Sequence, residues 1–301
     1  MTLVCVPCPL CGSVEFRSLY SASIGEREAD ASVYFGSSRA RSEHLQIVRC
    51  NGCGLVMSNP QDDGATLARV YAAHEDAAYE SEYASRERSG RAHLGLVNRY
   101  QARPTRLLDL GCATGIFVRV AREAGWDATG IDASEWMVSR ARSRCPAATF
   151  KVARLEEVSF APGSFEVVTL WDVLEHVRAP VEMLERARGW LVPEGWLFLS
   201  VPNVESHVAR LMGKRWVLLL REHLWYFSPE TLMVALARAG FEMIWTRTKL
   251  VEFSLANVMT RLGQYGGSLS GGWSRLSRVS ACKRVRLWFP IGEMDVVARV
   301  R

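Results

Sequence analysis

Leu107-Leu108-Asp109-Leu110-Gly111-Cys112-Ala113-Thr114-Gly115-Ile116-Phe117 is the stretch whose reading decides the fold. An apolar run short enough for a strand meets a turn bracketed by Gly111 and Gly115. A helical segment over 116–124 follows, stopped by Gly125. Ala128-Thr129-Gly130-Ile131 then reads as a second strand that ends at Asp132, 21 residues after Gly111. Strand, glycine turn, helix, strand and terminal carboxylate make the half-unit of a nucleotide-binding, Rossmann-like α/β sheet. The glycines let a ligand approach the backbone, and the carboxylate can accept hydrogen bonds from both hydroxyls of a ribose.

The spacing also narrows the nucleotide. A dinucleotide turn has Gly-x-Gly-x-x-Gly, which seats a pyrophosphate on the helix N-terminus. Here the glycines are spaced Gly-x-x-x-Gly, and Asp109 stands just before them. A carboxylate there repels pyrophosphate and suits a cationic or zwitterionic ligand, which favours S-adenosylmethionine over NAD or ATP.

The surrounding chain sets the class. The sequence has 301 residues, 49% hydrophobic and 23% charged, ordinary values for one or two globular domains and too apolar for a disordered chain. No run approaches the roughly 18 apolar residues of a membrane span. The first residues lack a basic region and an apolar core, so no signal peptide is expected and the expected location is cytoplasmic. A net charge of +5 on a chain this long is weak evidence for nucleic-acid binding, and the cysteine-bearing N-terminal stretch lacks a dense lysine-arginine stripe with stacking aromatics, so nucleic acid is an unlikely partner.

Four of the eight cysteines form two pairs, Cys8-Pro9-Leu10-Cys11-Gly12 and Cys50-Asn51-Gly52-Cys53-Gly54. Two glycine-terminated Cys-x-x-Cys pairs predict a zinc ribbon in which Cys8, Cys11, Cys50 and Cys53 hold a structural Zn2+, with no ligand position left open. Backbone N–H groups in each knuckle should point at the sulfurs. Cys112, Cys145 and Cys282 read as buried thiols. The expected organisation is a ribbon over 1–60, a helical connector and lid over 61–102, and a catalytic domain over 103–301.

From 107 to 117 and 129 to 134 the chain resembles motifs I and II of class I S-adenosylmethionine-dependent methyltransferases. The likeness continues through Asp172-Val173-Leu174-Glu175-His176-Val177, Leu191-Val192-Pro193-Glu194-Gly195, Ser200-Val201-Pro202-Asn203 and His223-Leu224-Trp225-Tyr226-Phe227-Ser228, covering most of 105–245. With a ribbon in front, it is similar to a bacterial subgroup found among sugar and natural-product methyltransferases. The resemblance implies a mostly parallel sheet with an antiparallel seventh strand. It implies that Asp109, Gly111, Cys112, Ala113 and Gly115 hold the methionine end of the cofactor and Asp132 its ribose. Ala133 and Leu155 would wall the adenine, and Trp171 would lie near the sulfur. Ala113 replaces the family's usual glycine, a mild change if φ is negative there.

His176 and His223 follow the fourth and fifth strands, so both fall at the edge where open α/β sheets bind ligands, and they are the candidate catalytic residues. Asp172, Glu175, His176 and His223 together could also hold a divalent metal. Strands are expected over 241–248 and 295–300, with an insertion over 249–294 that could cover the substrate site, form a homodimer interface or lie on an anionic membrane. The expected activity is methyl transfer to a small-molecule acceptor, at a hydroxyl of a sugar or natural-product intermediate. The alternatives are an RNA methyltransferase and a non-catalytic module that binds S-adenosylmethionine.

Overall fold

The computed structural model describes residues 2–24, 43–75, 82–254 and 285–301. The chain opens with β1 (Leu3–Val4), β2 (Phe16–Tyr20), β3 (Ile47–Cys50), β4 (Val56–Ser58) and β5 (Gln61–Asp62), followed by helices α1 (Gly64–Ala72) and α2 (Tyr83–Tyr100). An alternating series comes next: β6 (Arg106–Leu110), α3 (Ile116–Glu123), β7 (Asp127–Asp132), α4 (Glu135–Arg144), β8 (Thr149–Val152), β9 (Phe165–Trp171), α5 (Pro180–Trp190) and β10 (Leu191–Pro202). The last part holds α6 (His207–Met212), β11 (Trp225–Tyr226), α7 (Pro229–Arg238), β12 (Phe241–Ser254) and β13 (Arg286–Val300).

Seven strands form the central sheet in the order β12-β13-β10-β9-β6-β7-β8. β13 runs antiparallel to both β10 and β12, and the remaining strands are parallel, as the fold class requires. Leu107, Leu108 and Leu110 of β6 are buried on both faces of the sheet, the pattern of a central parallel strand covered by helices. α3 buries Ile116, Phe117, Val118, Val120 and Ala121 against it. The strand order reverses at β6, with β7 and β8 on one side and β9 and β10 on the other. The loops that leave β6 and β9 therefore diverge at the C-terminal edge, the place where open α/β sheets bind ligands.

The sixth and seventh strands extend beyond the expected limits of 248 and 295. Pairing continues past a bulge after Thr248, with Leu250 opposite Pro290 and Ser254 opposite Arg286, so both flanks of the expected insertion are strand. The rest of the insertion lies outside the described residues, and with it the readings as cover, dimer interface or membrane contact. The smaller sheet has the order β11-β4-β3-β2, which sets β4 beside Trp225 and Tyr226 and β3, ending at Cys50, one strand further away. Among the described residues, no helix is long and apolar enough to cross a membrane.

Candidate functional site

The N–H groups of Gly111 and Cys112 donate to the Ile131 carbonyl at 2.8 and 2.9 Å, fastening the glycine turn to the end of β7. Gly111 and Gly115 adopt φ of +73° and +70°. A Cβ on Gly111 would fall 2.5 Å from Val173 Cγ2, and one on Gly115 would fall 2.6 Å from Ala141 Cβ, so neither position admits a side chain. Asp132 anchors the outer side of the turn. Its Oδ2 accepts from the Ala113 N–H at 2.8 Å and its Oδ1 from the Ser134 N–H at 2.9 Å. Burial raises the Asp132 pKa, and the N–H groups of Ser134, Ala113 and Ala133 oppose the shift.

Asp109 is 2% exposed beneath the same turn, where its Oδ1 accepts from the Thr169 hydroxyl at 2.7 Å. Burial, and then the charge of Asp132, push its pKa up to about 7 against that hydrogen bond. Among the described residues, neither carboxylate is paired with a cation. A positively charged ligand in the turn would therefore favour the ionised form of both.

The other expected cofactor residues divide by how they meet the turn. Cys112 turns its thiol inward, close under Gly130, and burial raises its pKa well above the ordinary value, so its backbone alone faces the turn. Ala133 offers its backbone N–H to Asp132. Leu155, past β8, packs half-buried on the main core. Trp171, at the end of β9, stacks on His93 with ring centroids 3.8 Å apart and lies edge-on to Phe117 at 5.6 Å. Ala113 departs from expectation. Its φ is +44°, because the Asp132 bond pins its N–H, and a left-handed alanine costs roughly 1–2 kcal/mol.

The histidines meet at the same edge. Their ring centroids are 4.8 Å apart, edge to face, and Tyr71 from α1 stands 6.1 Å from His176. His176 Nδ1 lies 2.9 Å from the Glu222 carbonyl, and His223 Nδ1 lies 2.8 Å from the Leu218 carbonyl. A carbonyl only accepts, so each Nδ1 carries the proton and each Nε2 keeps a free lone pair. Burial lowers the His176 pKa to about 4, and burial together with the charge of His176 lowers that of His223 to about 3. Both rings are neutral at pH 7.

Glu175 is 1% exposed, and its Oε2 has no hydrogen-bond partner. Burial, then the charges of Asp172 and Glu293, raise its pKa well above the usual range. One donor atom from each of Glu175, His176 and His223 lies within 4.8 Å of the others. Asp172 follows Trp171 with φ +57° and accepts both its hydrogen bonds from Lys249 Nζ, at 2.9 and 2.6 Å. Lys249 also bridges to Glu293 at 2.9 Å. Lys249 and Glu293 lie within the expected insertion and His93 within the expected connector, so none of the three is a candidate from the sequence. Nothing in their local spacing marks them, since each comes from a different element.

The four cysteines converge from the two knuckles. Cys8 and Cys53 sulfurs are 3.4 Å apart, as are those of Cys11 and Cys50, and all four lie within 4.8 Å of one another. Sulfurs at about 2.3 Å from one tetrahedral ion would be separated by similar distances, so the set fits zinc. The backbone N–H groups of Leu10 and Cys11 reach the Cys8 sulfur, and those of Cys53 and Gly52 reach the Cys50 sulfur. Burial works to raise the Cys50 pKa, and these N–H groups with the Cys11 thiol outweigh it and bring it to about 7.

A family model described as a methyltransferase domain matches residues 81–245, more than half of the chain. A ubiquinone biosynthesis O-methyltransferase of Bordetella avium is 31% identical over 46% of this chain and 62% of its own length. One from Methylococcus capsulatus is 31% identical over 42% of this chain and 54% of its own length, so the chain spans little more than half of that relative. The crystal structure of a SAM dependent methyltransferase from Archaeoglobus fulgidus shares the fold, with a TM-score of 0.50, 19% identity, and coverage of 74% of this chain and 100% of that one.

Proposed function

This chain belongs to the methyltransferase family, and on that premise we propose that it transfers a methyl group from S-adenosylmethionine to a small molecule, at a hydroxyl of a sugar or natural-product intermediate. The observation that carries this reading is the pair of neutral imidazoles at the sheet edge, each with Nδ1 held by a carbonyl and Nε2 free. The cofactor supplies a methyl already activated by its sulfonium charge. In this reading the turn from Gly111 to Gly115 and Asp109 hold its methionine end and Asp132 its ribose. Ala133 and Leu155 wall the base, and Trp171 closes the site beside the sulfur. The relatives named as O-methyltransferases support oxygen as the acceptor atom.

Bound there, S-adenosylmethionine would supply the methyl to the acceptor oxygen, the electrons of the carbon–sulfur bond that breaks returning to sulfur. The hydroxyl proton goes to His223 Nε2. A pKa of about 3 makes His223 a weak base, but an oxygen gaining a methyl group is a far stronger acid than the free hydroxyl. His176 lies against His223 and lines the same edge. Burial of both groups leaves much of the rate to positioning of the acceptor. Zinc on Cys8, Cys11, Cys50 and Cys53 is structural in this reading, since all four positions are thiolates.

Incubation with methyl-labelled S-adenosylmethionine and fractionated extract of the source organism tests the substrate class. Label should enter the small-molecule fraction, and His223→Ala should lower the rate about a hundredfold, within the range for loss of a general base. Label in RNA or protein overturns the substrate class. Cofactor binding without transfer to any fraction favours the non-catalytic module.

The buried Glu175 carboxyl, whose Oε2 has no hydrogen-bond partner and whose Oε1 lies 4.0 Å from His176 Nε2, favours a second reading, a divalent cation shared by Glu175, His176 and His223. Titration of Mn2+ into zinc-loaded protein should then give one site per chain that Glu175→Gln abolishes. No binding at millimolar Mn2+ removes this reading.

A further inference from the structure

We propose that the cysteine-bearing N-terminal segment is a positioning arm of the acceptor site and acts on His223 through Ser58. This rests on the reading of His223 as the acceptor-side residue. His223 sits in an irregular loop over 218–224, and that loop is tied down from two directions. On one side, the chain after β9 holds it. The Leu224 N–H donates to the Glu175 carbonyl at 2.8 Å, and the Trp225 indole donates to the Val177 carbonyl at 2.6 Å.

The N-terminal segment holds the other side. β4 pairs with β11, setting Met57 opposite Trp225 and Val56 opposite Tyr226. The Ser58 N–H continues the ladder to the Leu224 carbonyl at 3.0 Å. The Ser58 hydroxyl, fully buried, gives its one proton to the His223 carbonyl at 2.9 Å. Four residues further on, Asp62 grips Arg221 through two hydrogen bonds of 2.9 and 2.7 Å, with both side chains buried. Contacts therefore fall on Arg221, His223, Leu224, Trp225 and Tyr226, the stretch of backbone that carries the His223 ring, while the Leu218 carbonyl holds its Nδ1.

The path back to the cysteines is short. The Cys50 N–H donates to the Leu55 carbonyl at 2.9 Å, and Leu55 starts the run that becomes β4. Cys8, Cys50, Leu55, Met57, Leu224 and Trp225 pack in one core, so the state of the thiolates is felt at both ends of the run. The glycine turn follows β6 and Asp132 ends β7, and neither of these strands pairs with β4 or β11.

Ser58→Ala tests the arm, because it deletes one hydroxyl and leaves the ladder and the cysteines intact. Amide exchange over 218–226 should rise about tenfold, the scale expected for losing one buried hydrogen bond that closes a loop. The His223 imidazole resonances should shift, while S-adenosylhomocysteine affinity stays within about twofold and zinc content matches the parent. Stripping zinc from the unaltered chain should raise exchange over the same residues. Unchanged exchange and unchanged His223 resonances in Ser58→Ala overturn the proposal, whatever zinc removal does to the whole chain. A loosened loop together with undiminished methyl transfer overturns the arm as a positioning device of the acceptor site, whereas His223→Ala separately tests His223 as the proton acceptor.

Discussion

Cys50→Ser is expected to abolish stoichiometric zinc and to lower the thermal midpoint by roughly 10 °C. The serine oxygen is a poor substitute for a thiolate, and structural zinc contributes about 10–16 kcal/mol of binding free energy in small folded peptides. Three remaining thiolates retain part of that, so a loss of several kcal/mol is the reasonable scale. At about 2–4 °C per kcal/mol for a chain of this size class, several kcal/mol gives the stated shift. Cys50 is 2% exposed and shares the main core with Leu55, Met57 and Trp225, so the damage spreads beyond the knuckle. Elemental analysis and thermal unfolding of parent and variant check it. One equivalent of zinc in the variant, or none in a reduced and folded parent, counts against a zinc site at these cysteines.

Asp132→Ala should weaken S-adenosylhomocysteine binding about a hundredfold, the equivalent of two charge-assisted hydrogen bonds at roughly 1.5 kcal/mol each. The expected bonds go to the ribose hydroxyls. A second effect acts through the backbone, since the same carboxylate pins Ala113 at positive φ and caps the Ser134 N–H. Without it, Ala113 is free to relax out of the left-handed region, and the turn loses the shape proposed to hold the methionine end. Asp132→Asn, which keeps one acceptor oxygen and no charge, should fall between the parent and the alanine variant. Calorimetry on the three proteins decides the matter; equal affinities would remove Asp132 from the cofactor site.

How much of this was legible in the sequence depended on how local the cause was. The β6–turn–α3–β7 unit could be read because each part announces itself: an apolar run, two glycines that no other residue can replace, and a carboxylate at the strand end. The histidine edge was legible from order along the chain, since residues just after parallel strands share one edge. The φ of Ala113 was not legible, because it is imposed by the Asp132 carboxylate 19 positions away and overrides the preference of alanine. Nor was the length of the last hairpin, because Pro290 argues against a strand interior. β10 stops pairing at Pro202 opposite Glu293, so Pro290 has a partner only on its β12 side and its missing N–H is tolerated. The Asp172–Lys249–Glu293 bridge and the His93–Trp171 stack join residues far apart in the chain. Pairwise burial, which no single-sequence pattern records, brings them together.

The pairing of β4 with β11 bears on how this protein can be cut. A fragment beginning near residue 103 would contain every strand of the central sheet and, by sequence alone, would pass for a self-sufficient catalytic unit. It would also uncover Trp225 and Tyr226, now 1% and 0% exposed, and leave the Asp62 partner of Arg221 behind. A bare strand edge flanked by two aromatic rings invites the edge of another molecule. Such a truncate is headed for aggregation rather than for a smaller working enzyme.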